Sequence, residues 1–167
     1  MKSHGLIAGL ALTLAGCGEV ELPRFGPPDL CKAISTGEAA AALGETPLSA
    51  VNESNPHPQC TWMTGGDAPR VMTAAIWRKD TLLKTGEADS GLDLFATELA
   101  ALERDYPHTY ALTQIGDAAV IGFRDVEGDR FTGAVLVRRG EDVMALRIEG
   151  EDPGAFEGIA RKLAATM

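Results

Sequence analysis

At 167 residues, with 45 % apolar and 23 % charged side chains, the chain has the size and composition of one globular domain and not of a disordered or fibrous polypeptide. Its formal net charge of −9 lacks the basic surface that phosphate backbones require. Nucleic acid is therefore not an expected partner, and neither are acidic lipid headgroups met through the protein surface.

The chain opens with a targeting pattern. Lys2 is the only charge before an apolar run from Gly5 to Ala15. That run is about 11 residues long, too short for a bilayer core that needs roughly 20. Leu14-Ala15-Gly16-Cys17 follows. This stretch resembles the lipobox of bacterial lipoproteins, in which an aliphatic residue and two small ones precede the cysteine that is lipidated. The resemblance implies that residues 1–16 are a signal peptide, that Cys17 becomes the new N-terminus, and that its thiol carries diacylglycerol with acyl chains such as palmitate. Two or more chains anchor firmly, at about 0.8 kcal/mol per buried CH₂. Residues 17–29 then read as a lipidated N-terminus and tether, because Pro23, Pro27, Pro28, Gly18 and Gly26 oppose regular structure. The expected location is the cell membrane or outer membrane, with the domain facing the periplasm or the exterior. Gly18, where an aspartate usually retains such proteins at an inner membrane, favours the outer one.

With Cys17 assigned to lipid, Cys31 and Cys60 remain as a pair, and outside the cytoplasm a disulfide is the default. A metal site would need more ligands than nearby His57, which Pro56 and Pro58 hold in a turn. A redox pair would show C-x-x-C spacing.

Residues 30–167 read as one domain. Ser35-Thr36-Gly37-Glu38 is a capping box, and Gly44 is a natural stop after Leu43. Cys60 to Thr64 and Arg70 to Trp77 form a hairpin around Gly65-Gly66-Asp67, with Val71, Thr73, Ala75 and Trp77 on one face. Ser90 caps a helix whose Leu92, Phe95, Leu99 and Leu102 make a stripe, and it ends by Pro107. Tyr110 to Ile115 is a candidate strand, Gly116-Asp117 a turn, and Ala119, Ile121 and Phe123 alternate in the next strand. Glu127-Gly128-Asp129 turns the chain into Phe131 to Arg138, with Phe131, Val135 and Val137 on one face. Arg139-Gly140-Glu141 turns it again into a strand with Met144, Leu146 and Ile148 on one face. Asp152 and Pro153 open the last helix as N-cap and N1, with Phe156, Ile159, Ala160 and Leu163 inward. Tight turns make the sheet mainly antiparallel. The predicted fold is α+β, with about five to six strands and two or three helices on one face.

Leu30-Cys31, Ala42-Leu43-Gly44, Cys60-Thr61-Trp62, Gly116-Asp117-Ala118-Ala119 and the closing helix from Phe156 to Leu163 together resemble a family of small bacterial envelope lipoproteins that is a domain of unknown function. The last third is also similar to PsbP-like domains, antiparallel sheets with helices on one side that serve as non-catalytic assembly factors. Neither resemblance supplies a catalytic residue, and both imply an accessory binding or assembly role. The Gly-Asp-Ala-Ala stretch has a simpler structural account: a positive φ at Gly116, local amide bonds to Asp117, and close approach at the alanines.

Nucleophile elbows, phosphate loops and zinc-protease helices are absent from the sequence. His57 and His108 each sit beside proline. The carboxylates Glu98, Glu103, Asp105 and those from Asp125 to Asp129 read as a solvated surface, and Asp125-Val126-Glu127-Gly128-Asp129 falls short of a calcium loop. No catalytic residue, metal ligand or cofactor is expected. Trp62 and Trp77 are core or sheet-face residues by default, and a candidate contact surface if exposed together. The expected function is a membrane-anchored, non-catalytic domain that contacts another envelope protein. The alternative is a sensor or carrier with a small-ligand pocket between sheet and helices.

Overall fold

The computed structural model describes residues 29–53, 56–126 and 130–167. The apolar leader, Cys17 and most of the tether lie outside the described residues, as does the expected turn at Glu127-Gly128-Asp129.

Two short helices, α1 (Leu30–Ala33) and α2 (Thr36–Leu43), lead into a meander of β1 (Ser49–Glu53), β2 (Gln59–Met63) and β3 (Val71–Trp77). Helices α3 (Lys79–Thr85) and α4 (Gly91–Asp105) connect this to a second meander of β4 (His108–Ala111), β5 (Ala118–Asp125), β6 (Phe131–Arg139) and β7 (Asp142–Gly150), and α5 (Pro153–Ala164) follows. The meanders join through β3 and β7, where Ala74 pairs with Leu146, giving one sheet in the order β1-β2-β3-β7-β6-β5-β4 with every neighbour antiparallel.

The class is α+β with an antiparallel sheet, as the turn pattern predicts. The counts differ: seven strands and five helices stand among the described residues, against five to six and two or three. The extra elements carry weak signals. β1 reads Ser-Ala-Val-Asn-Glu and is almost wholly exposed, so no apolar alternation marks it. α1 has one turn, and α3 starts at Arg78 without a side-chain cap.

The helices also occupy both faces of the sheet instead of one. On the first face α1, α2 and α5 bury Leu30, Leu43, Phe156 and Leu163 against Trp62, Met72, Ile121, Val135, Val137, Met144 and Leu146. On the second, Leu82 of α3 and Leu94, Phe95 and Leu102 of α4 pack on Ala134, Leu136, Val143 and Ala145. The physical reason lies in the central strands. Ala134 to Val137 and Val143 to Leu146 are unbroken apolar runs, so both faces of β6 and β7 require cover.

Local chemistry fixes the helices. The Ser35 hydroxyl accepts from the Glu38 amide at 3.3 Å, the Glu38 carboxylate accepts from the Ser35 amide at 2.8 Å, and Gly44 ends α2 at φ 77°. Asp152 caps α5 by accepting from the Gly154 and Ala155 amides. In α4 the inward side is centred on Gly91, Leu94, Phe95 and Leu102, and the predicted Leu92 is exposed. Leu92 stands about 80° around the helix from Leu102 at 100° per residue. Gly91 lies so close to the Glu141 backbone that no Cβ would fit, and this contact selects the buried side.

Candidate functional site

Cys31 and Cys60 form a disulfide with a Cα–Cα distance of 5.3 Å, joining α1 to β2. The Cys60 side is fully buried.

The two tryptophans do not form a shared surface. Trp62 pairs across the sheet with Met72 and, at 1 % exposure, belongs to the first-face core. Trp77 pairs with Val143 and packs on the second face, its ring 4.7 Å from that of His57. Side chains alternate along a strand, so an even-numbered and an odd-numbered residue of this hairpin with this register point to opposite faces. His57 stands 4.0 Å from Glu87, whereas His108 lies on β4, with four strands between β2 and β4. The histidines are therefore not brought together. Among the described residues no group of three His, Cys, Asp or Glu side chains is placed to hold a metal ion.

The Gly-Asp-Ala-Ala stretch is a latch in the fold. Gly116 adopts φ 56°, and a Cβ there would strike the Arg138 carbonyl. The Asp117 amide donates to that carbonyl at 2.8 Å, and the Asp117 carboxylate accepts from the Gly140 amide at 2.6 Å. The β6–β7 turn is thereby pinned to the entry of β5. Leu43-Gly44 has a similar role at the other end of the sheet: Arg70 donates to the Leu43 carbonyl at 2.7 Å and pairs with Glu151 after β7.

A concavity lies on the second face, beneath the C-terminal half of α4, with a volume of about 360 Å³. Its floor is Ala134, Leu136 and Ala145, and its roof is Ala101, Leu102 and Tyr106. Small residues create it. Leu102 and Tyr106 rest on Gly122, where a Cβ would come within 2.9 Å of each, and the short side chains of Ala134 and Ala145 line the slot beside them. The rim is charged. Arg147 donates to Glu98 at 2.9 Å, and Arg104 donates to Asp105 at 2.9 Å. Hydrogen bonding from Arg104 holds the Asp105 carboxyl below its ordinary range, and the fields of Arg124 and Arg147 add to that. Burial pushes the Tyr106 phenol up. The Thr132 hydroxyl donates to the Arg124 carbonyl, and the Arg124 guanidinium has neither ion pair nor hydrogen bond among the described residues.

Toward β1 the second face has no helix above it. Thr61 and Thr73 meet at 3.3 Å there, and Val51 and Met63 are exposed. Sequence reasoning missed this site because it treated Glu98 and Asp105 as solvated and gave Arg147 no role. A signal was present: Arg147 is a lone charge inside the apolar run from Val143 to Ile148.

Comparison with known protein families, with curated proteins and with solved structures gives no match. Among the described residues no helix is long and apolar enough to cross a membrane.

Proposed function

We propose that the chain is a lipid-anchored domain of the bacterial cell envelope, non-catalytic, that binds another envelope protein. The observation that carries the reading is the cysteine accounting. Of three cysteines, two are joined in a disulfide, which belongs to an oxidising compartment, and the third is Cys17 in the lipobox-like stretch. The short apolar run ahead of it fits export, and the acyl chains supply the mooring.

The shape of the second face supports contact with protein more than enclosure of a small ligand. The groove is open to solvent and charged at its rim, and it continues onto uncovered strands. An enclosed, mainly apolar cavity is the usual form of a small-molecule site.

Intact-mass spectrometry of the chain purified from bacterial membranes tests the anchor. The expected species starts at Cys17, carries diacylglycerol and acyl mass, and lacks two hydrogens at Cys31 and Cys60. A Cys17→Ala variant should lose the lipid mass and remain uncut. A soluble product that retains Met1 and has no added mass overturns the reading. Crosslinking on intact cells followed by capture tests the partner, with a specific envelope protein expected and an empty capture at high expression counting against it.

A further inference from the structure

We infer that the groove beneath the C-terminal half of α4 receives the free carboxyl end of a partner polypeptide whose last side chain is apolar. The inference rests on the reading of the domain as a protein-binding module and names the chemistry of its partner.

Charge complementarity selects the carboxylate. Arg104 and Arg147 line the site and the charge of Arg124 reaches it, against Glu98 and Asp105, a local positive surplus on a chain of net charge −9. Neighbouring Glu149 is already engaged by Arg130 at 3.3 Å. Arg124 and Arg147 rise from the same sheet face. Ala134 pairs with Gly122 on one side and with Arg147 on the other, and Arg124 lies two residues beyond Gly122. Only β6 separates their strands, so both arginines stand on the face that carries the groove, and the charge of each reaches the Asp105 carboxylate. Arg147 bonds Glu98 through Nη2, and a guanidinium has five N–H donors, so capacity for a second carboxylate remains.

Shape selects a peptide over an acyl chain. A slot of about 360 Å³ over Ala134, Leu136 and Ala145 takes a side chain or two, and its open mouth would leave a long acyl chain in water. An extended peptide could continue across Thr73 and Thr61, where no helix covers the sheet.

The test uses the full chain in detergent. It is offered a pool of acetylated pentapeptides with leucine, valine or phenylalanine fixed at the last position and the other four randomised, beside the same pool amidated at the C-terminus, and decanoate. Bound peptides are read by mass spectrometry and affinities by calorimetry. The expected result is retention of free acids, with amides at least tenfold weaker, and a loss of roughly tenfold in Arg124→Ala and in Arg147→Ala, the effect of removing one charged hydrogen-bond donor. Lys84→Ala on α3 should bind as the parent does, and matched thermal melts exclude unfolding as the cause. No retained peptide, equal retention of amides, or unchanged affinity in both arginine variants overturns the proposal. So does binding of decanoate in preference to peptides. None of these outcomes depends on the mass at Cys17, so the anchor and the groove fail separately.

Discussion

Removing the disulfide with the double change Cys31→Ala/Cys60→Ala gives a direct measure of what the cross-link contributes. The bridged residues are 29 apart in sequence, and the loop they close contains α2 and β1. Chain-entropy arithmetic gives about 3.5 kcal/mol for a loop of that length. Cys60 is fully buried, so replacing its sulfur with hydrogen adds up to about 1 kcal/mol for the small void. The expected loss is therefore about 4 kcal/mol, or a fall in Tm of about 12–15 °C for a domain of this size. Urea unfolding followed through the fluorescence of buried Trp62 measures it, and reduction of the parent protein should reproduce the larger part. A loss below about 1 kcal/mol in both experiments would refute the reasoning, since the open loop would then be held by its non-covalent contacts alone.

Two glycines with nearly the same φ make a matched pair. Gly116→Ala should cost about 2–3 kcal/mol, because its Cβ meets the Arg138 carbonyl, whereas Gly140→Ala, with open space around it, should cost about 1 kcal/mol. Thermal melts of the two variants check the difference. Hydrogen bonds from Lys162 and then Ser35 pull the Glu38 carboxyl down to about 2 from 4.5. A lowered folded-state value stabilises the fold above about pH 4.5, and that share disappears as pH falls toward 2. Glu38 is well exposed, so screening leaves roughly 1 kcal/mol. Glu38→Gln should accordingly be less stable than the parent at pH 7 and equal to it near pH 2 in urea titrations. Arg70→Ala should lose about 1–2 kcal/mol, since the Leu43 carbonyl and Glu151 lose a shared charged partner. Chemical denaturation at low and high salt checks it, with only the ion-pair part expected to respond to salt.

The sequence showed most clearly the elements whose signals are local. The Ser35–Glu38 box, the Asp152-Pro153 start and the Gly44 stop stand where their chemistry predicts. The inward faces of β6, β7 and α5 follow from periodicity. What was not legible depended on tertiary context. β1 has no apolar pattern and exists because β2 offers it an edge. α4 turned Leu92 outward because Gly91 could approach the Glu141 backbone and other residues could not. The unbroken apolar runs of β6 and β7 did announce cover on both faces, but one face of each strand was weighed alone. The groove could not be read at all from spacing. It arises where Gly122, Ala134 and Ala145, distant in sequence, meet as neighbours on adjoining strands under α4.

The bond between α1 and β2 also sets how the domain would respond to tension. A pull on the chain ahead of Asp29 enters through a helix of four residues, which on its own would peel away at small force. Cys31 diverts that force, two residues in, to a strand flanked on both sides by antiparallel partners. The stretch across α2 and β1 is bypassed, so the strain falls on the sheet, whose many ladder bonds share it. Tension applied ahead of Asp29 would therefore leave the arrangement of the sheet faces intact until the ladder itself gives way.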